Sequence, residues 1–309
     1  MKTLVLTLSL VLAALSAMAQ GPQVYFSIAV HSEEPGLGSA TVPATPNFST
    51  VAKTTYVQWR TAILTFAQLC ASKGLPWSFQ SDWNFLEGVR RYELPTGAAY
   101  DATLMTDTAG KNVMRYLSED LGVTLDPHSH ENSGYNYADV AYLFTRLGVQ
   151  PSSVVGGHVY DPASFGYANW PKFLGAGLRG QRYTNYVWQP QLLMGGGTPN
   201  HVADPVVTGI WLPAGTNDYH THSPTGAIAA WGMWGEDRFT ELLDIAATNA
   251  LPTNRMWTVG FTFGQGQMST TAGYLTNVIV PMLDTIAALR DAGRLRVVQF
   301  EEGMQIWTN

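Results

Sequence analysis

Val123–Asp139, VTLDPHSHENSGYNYAD, reads as a short strand that runs into a turn and then into the start of a helix. A helical pattern over Ala109–Leu121, closed by Gly122, precedes it. A helix over Tyr137–Leu147 with Gly148 behind it, then a short strand at Ser153–Val155, follows. Further out, Val24–Val30 (VYFSIAV) reads as a buried strand, and Pro76–Gln80 as a second. Thr54–Ser72 carries Tyr56, Trp59, Ile63, Phe66, Leu69 and Cys70 at helical spacing, with Gly74 as its stop. Phe85–Tyr92 reads as a short helix. Val207–Leu212, Arg255–Phe263 and Leu295–Phe300 read as strands, and Asp237–Ala250 and Thr271–Ala292 as helices. Ala163–Pro205 is loop-rich and carries no clear period.

Sustained alternation of strand and helix, without a repeat or a linker, predicts an α/β chain with a parallel sheet, closed as a barrel or doubly wound. The 309 residues, 46% of them hydrophobic, fit one domain of (β/α)-barrel size. No G-x-G-x-x-G follows the first strand and no Walker-type loop occurs, so nucleotide-binding folds lack support. Charged residues make up only 13%, the net charge is −6, and Lys and Arg are not clustered, which excludes a nucleic-acid footprint. Residues 1–19 hold Lys2, an apolar run from Leu4 to Leu15 and Ala17-Met18-Ala19, which reads as a cleaved signal peptide and predicts a secreted or periplasmic protein. Cys70, the single cysteine, falls within an apolar helical pattern and is expected in the core.

In a parallel α/β fold, chemistry collects where strands end. The predicted strand ends deliver His31, Glu33 and Glu34; Asp82; Asp126, His128 and His130; His158 and Asp161; and Asp218, His220 and His222. Only His201 among the seven histidines falls elsewhere. On an extended chain His128 and His130 project to one side, which makes a metal-ligand pair. One carboxylate with two neutral imidazoles leaves zinc an open position for water, and a second carboxylate could act as base. Arg179 and Arg182, in GLRGQRY, could bind an anionic group, with pairing to surface carboxylates the first expectation. No G-x-S-x-G elbow is present, which disfavours a nucleophilic serine.

IAVHSEEP at the end of the first strand, LDPHSHENSGYNYADVAYLFTRLGV downstream and the closing YLTNVIVPMLDTIAALRDAGRLRVVQFEEGMQIW together resemble the polysaccharide deacetylase superfamily. The resemblance implies a distorted parallel (β/α) barrel over residues 20–309 as a single domain. It implies a divalent metal, zinc first, held by Glu33, His128 and His130, with Glu34 as the alternative acidic ligand. Asn132 stands where the family has its second His, so His130 takes that role. His31 occupies the place of a family acid that acts as base. His31 or Glu34 would activate the water, and Asp82 would orient a neighbour or the substrate. The family's Arg-x-Pro motif has no clean counterpart, and FTFGQG lacks the late catalytic His.

The expected function is a secreted metal-dependent hydrolase that removes acyl groups from an N- or O-acetylated carbohydrate. Two alternatives stand beside it. One is a non-catalytic carbohydrate-binding barrel, with Trp83, Trp211, Trp231 and Trp234 as stacking faces. The other is a metal-free glycosidase built on a carboxylate pair.

Overall fold

The computed structural model describes residues 24–32, 50–131, 134–157, 170–194, 208–215, 218–233, 239–248 and 256–309. The segment read as a signal peptide lies outside the described residues, as do Glu33, Glu34, Asn132, His158, Asp161, His201 and Trp234.

Strand β1 (Val24–Ser32) organises the fold. Its β-branched and aromatic side chains alternate between two environments. Val24, Phe26, Ile28 and Val30 face the largest apolar core, whereas Ala29, with Tyr25 against it, belongs to a separate cluster on the other side. That core is completed by α1 (Thr50–Ser72), whose Tyr56, Trp59, Ile63, Phe66 and Cys70 form the buried stripe that their spacing predicts. Burial pushes the Cys70 thiol up, so it behaves as a small core hydrophobe.

β1 pairs in parallel with β2 (Ser78–Ser81), which pairs in parallel with β3 (Thr124–Pro127). Between β2 and β3 lie α2 (Trp83–Glu93) and the short α3 (Val113–Arg115), which continues as a wider turn to Asp120. The helix expected over Ala109–Leu121 therefore starts late, at Val113: Ala109 takes a left-handed φ of 54° and Gly110 one of 77°, which are not helical. Helix α4 (Tyr137–Arg146) follows β3, with Asn136 and Asp139 forming a reciprocal capping box at its start.

A second sheet holds β4 (Val154–Val155), β7 (Leu192–Met194), β11 (Ala229–Gly232) and β8 (Gly209–Trp211), in that order. The stretch without a readable period therefore contains β7, together with the β5–β6 hairpin (Leu178–Arg179 and Val187–Trp188). These strands are two or three residues long, too short to show a period in sequence. β4, β7 and β11 run parallel, and β8 runs antiparallel to β11. The chain returns to the first sheet through α5 (Phe239–Ala247) and β12 (Trp257–Gly264), which pairs in parallel with β1 along Val24–His31.

The long helix expected over Thr271–Ala292 begins after Gly273, with a wide turn (Leu275–Ile279) that runs on into α7 (Val280–Asp291); a separate short helix, α6 (Gln265–Thr270), precedes it. β13 (Leu295–Val297) pairs with the lower half of β1. Phe300 begins helix α8 (Phe300–Thr308) rather than ending a strand, so Glu301 and Glu302 sit in a first helical turn.

The class is therefore mixed α/β with a parallel central sheet. Among the described residues, backbone pairing gives two larger sheets, of five and four strands, and two separate hairpins, with no continuous ring. The two larger sheets meet at two seams. One is a single parallel bridge between His128 and Gly156. The other is made by side chains: the Thr208 hydroxyl donates to the Thr258 carbonyl at 2.7 Å, and the Gly209 N–H donates to the Thr258 hydroxyl at 2.6 Å. Among the described residues no helix is long and apolar enough to cross a membrane.

Candidate functional site

The registers of β1, β2 and β3 place His31, Gln80 and Asp126 side by side, near the C-terminal ends of the strands. Parallel neighbours in register project to the same face, so these three form a polar row. Ser78 and Thr124 form a row below it, with their hydroxyl oxygens 2.7 Å apart. Asp126 is wholly buried. It accepts hydrogen bonds from the Ser152 hydroxyl at 2.6 Å and from the Gln80 amide nitrogen at 3.1 Å. Burial raises its pKa to about 7 despite those two bonds, and the charge of Glu301 adds to the rise.

His128 follows directly on β3. Its N–H donates to the Ser81 carbonyl at 3.1 Å. Two residues of extended chain would place equivalent atoms of His128 and His130 about 6.5 Å apart. Their Nε2 atoms are instead 3.0 Å apart, with the rings edge to face at 80°. The pair that the sequence assigns to a strand is therefore made by a turn. Ser129 builds it: its buried hydroxyl accepts from the Glu131 N–H at 3.0 Å and donates to the Tyr135 carbonyl at 2.9 Å. Glu131 takes a left-handed φ of 55° and is ion-paired with Lys172. The chain so bent folds His130 back onto His128.

Two imidazoles on a tetrahedral zinc, with Zn–N near 2.0 Å, hold their nitrogens about 3.3 Å apart. The observed separation is close to that, and it equally suits one hydrogen bond between a protonated and a neutral nitrogen. His31 is related to His128 differently. Its ring stacks on that of His128, with centroids 5.1 Å apart and planes within 18°. Imidazole nitrogens present their lone pairs in the ring plane, so a stacked ring does not chelate with its neighbour. Among the described residues no three His, Cys, Asp or Glu side chains form a metal-binding group. The described part of the site thus offers two donors, His128 and His130, and the acidic donor read at Glu33 or Glu34 lies outside it.

Asp82 lies where the second strand ends, as expected, and is wholly buried. Its Oδ1 accepts from the backbone N–H groups of Asn84 and Phe85, at 3.1 and 3.3 Å, and so caps α2. A Ser/Asp residue just before a helical run carries that signal in sequence. Its neighbour Trp83 stacks on Tyr135, with centroids 4.8 Å apart and planes within 5°. The Arg182 guanidinium lies 4.6 Å over the same Tyr135 ring.

The segment GLRGQRY binds an anion, but through its backbone. The buried Asp139 carboxylate accepts from the N–H groups of Gln181, Arg182 and Tyr183, at 2.9, 3.0 and 2.8 Å, and from that of Asn136 at 2.9 Å. Consecutive amides of this kind form an anion-binding nest, here filled by an internal carboxylate. A Cβ at Gly180 would lie 2.6 Å from Asp139 Oδ1, so only glycine admits the approach. Arg179 donates to the Thr184 carbonyl at 2.6 Å.

His220 and His222 fall on β10 (Asp218–His222), paired with β9 (Pro213–Gly215). This hairpin follows β8, which is antiparallel to β11, so it leaves from the opposite sheet edge to His128. The His222 ring faces Trp307 of α8, and its Nδ1 accepts from the Leu212 N–H at 3.1 Å. Trp83, Trp211 and Trp231 are 2%, 6% and 0% exposed. They fill cores rather than offering faces to a glycan, which corrects the stacking role read from sequence.

The sequence reading missed Gln80, Ser129 and Gly157. Gly157 has a φ of 82°, and a Cβ there would overlap Cε1 and Nδ1 of His128. Its N–H donates to Gln80 Oε1 at 2.8 Å. The adjacent glycines at the end of β4 were the available signal.

No family model matches the chain, and no curated protein matches it. Among solved structures, the 4-alpha-glucanotransferase from Thermococcus litoralis aligns with a TM-score of 0.49 at 8% identity, over 92% of this chain and 40% of that one. The chain therefore spans less than half the length of that enzyme, and a likeness at this level does not assign it a family.

Proposed function

We propose that the chain is a secreted hydrolase that removes acyl groups from an N- or O-acetylated carbohydrate, using a divalent metal, zinc first, held by His128 and His130 with Glu33. The observation that carries the reading is the convergence of two buried or half-buried imidazoles, Nε2 to Nε2 at 3.0 Å, at the C-terminal edge of a parallel sheet. The sequence resemblance to polysaccharide deacetylases supplies the substrate class. In this reading the two sheets make one distorted barrel, joined through the His128–Gly156 bridge and the Thr208–Thr258 hydrogen bonds.

A divalent ion bound there would lower the pKa of its water and polarise the acyl carbonyl. The protein's own groups do the rest. His128 and His130 hold their ring nitrogens towards one point. His31, 8% exposed and stacked on His128, is the described base that takes the proton of the attacking water, with Glu34 sharing that role. Asp82 caps α2 and so fixes the start of that helix behind the polar row.

The test uses the full chain purified without a His tag. Metal content is measured by mass spectrometry, and acetate release from acetylated oligosaccharides is followed with and without chelator. Stoichiometric metal, chelator-sensitive release and loss of both in His128→Ala and His130→Ala are expected. Absence of metal in the wild type, or release that chelator leaves intact, overturns the reading. Glycan binding without release would indicate a binding barrel. Chain cleavage that survives chelator would indicate a glycosidase.

A further inference from the structure

We propose that Gln80 is a positioning residue that sets the plane of the His128 imidazole through Gly157. Gln80 is wholly buried on β2 and stands between His31 and Asp126 in the register of the sheet. Its amide is used at both ends. Nε2 donates to Asp126 Oδ2 at 3.1 Å, and Oε1 accepts from the Gly157 N–H at 2.8 Å. The opposite orientation of the amide would set donor against donor at Gly157, so the partners fix it. Asp126 is anchored in turn by Ser152, whose N–H reaches back to the Leu125 carbonyl at 2.8 Å.

This chain of bonds spans the seam where the β3–β4 ladder has shrunk to one bridge. It therefore replaces ladder hydrogen bonds at the point where Gly157 meets His128. The Gly157 backbone packs on the Cε1–Nδ1 edge of that ring so closely that no Cβ fits. Nε2, the ring atom bonded to Cε1 on its other side, meets His130. A shift of Gly157 therefore rotates the ring and moves Nε2 off the His130 axis. Groups that orient a metal-binding histidine act in this way, and their loss typically costs about 10- to 100-fold in metal affinity.

The metal part of this inference rests on the proposed function, and its test is built so that the two can fail separately. Gln80→Glu keeps an acceptor for Gly157 but sets a second carboxylate against Asp126. The swap Gln80→Glu with Asp126→Asn restores the order of donors and acceptors, because the new amide donates to position 80 and still accepts from Ser152. Metal-free full chain with ¹⁵N-labelled histidine rings is compared by NMR across the wild type, Gln80→Glu and the swap. Zinc affinity is measured in parallel by competition with a chelating dye.

The expected result is that Gln80→Glu shifts the ring signals of His128 and His130 and weakens zinc by at least about 10-fold, while the swap returns both to near wild type. Unchanged ring signals in a folded Gln80→Glu overturn the proposal. So does a folded swap that recovers neither signal. If Gln80→Glu does not fold, Gln80→Met, which removes both hydrogen bonds at similar volume, takes its place, with shifted ring signals expected and unchanged ones overturning the proposal. If the wild type binds no zinc, the proposed function falls, and the ring signals still decide the role of Gln80.

Discussion

Replacing Asp139 with Asn removes one charge from a buried site that accepts four backbone N–H groups. Oδ2 takes those of Asn136 and Gln181, and Oδ1 those of Arg182 and Tyr183. An Asn side chain keeps one acceptor, so two of the four N–H groups face an NH₂ instead. Hydrogen bonds to a charged acceptor contribute about 1.5–3 kcal/mol each, so losing two costs roughly 3–6 kcal/mol before relaxation. Gln181 and Arg182 are exposed, and water reaching their amides lowers the expected loss to about 2–4 kcal/mol. Urea unfolding at neutral pH followed by far-ultraviolet circular dichroism gives the loss. Amide exchange of residues 180–183 gives its location, and protection there should collapse first. A loss below about 1 kcal/mol with unchanged exchange would refute the claim that the carboxylate pins this loop to α4. The same substitution should loosen Arg182 over Tyr135, which near-ultraviolet dichroism of the Trp83–Tyr135 stack reports.

Gly157→Ala combines a left-handed φ with a clash on His128, and should cost about 1–3 kcal/mol in urea unfolding and abolish tight zinc binding. Gly303→Ala places a methyl group in the Trp231 ring and should cost a similar amount, about 1–3 kcal/mol, even though alanine favours helix by about 1 kcal/mol. Asp126 carries a pH dependence. Its folded pKa of about 7 lies above the unfolded value near 4, so the folded chain keeps the proton in between while the unfolded chain has released it. Its contribution is complete below about pH 4 and is lost as pH rises through 7, a change on the order of 4 kcal/mol. Urea midpoints of the metal-free protein should fall from pH 5 to pH 7.5, and Asp126→Asn should flatten that slope. Equal slopes in both proteins would refute the assignment.

The helical stripe of α1 was legible because Tyr56, Trp59, Ile63, Phe66 and Cys70 recur at the period of one face and that face is buried. β1 was legible for a related reason, a run of β-branched and aromatic residues bounded by polar ones. The histidine pair was found, but by a geometry the chain does not use. A strand would align His128 and His130; the Ser129 turn brings them into contact. The segment GLRGQRY pointed to an anion, yet the side chains named were not the ones that hold it, because backbone N–H groups carry no residue-specific mark. The long helix expected over Thr271–Ala292 failed at its N-terminal end, where Gly273 takes a φ of 73° and Pro281 restarts the helix at its first turn.

The sequence by itself determined much of the alternation of strands and helices, the buried stripe of α1 and the position of His31 and His128 at strand ends, whereas His220 and His222 lie on a hairpin at the opposite edge. The features it determined follow from periodicity and from turn residues, which are local. Only the tertiary structure decided that Gln80 stands between His31 and Asp126, that Gly157 packs on His128, and that Asp139 fills a nest some forty residues away. Those arrangements depend on sheet register and on the close approach of chain segments distant in sequence. A change of one residue in register would turn Gln80 to the other face, and nothing local to Ser78–Ser81 fixes that choice.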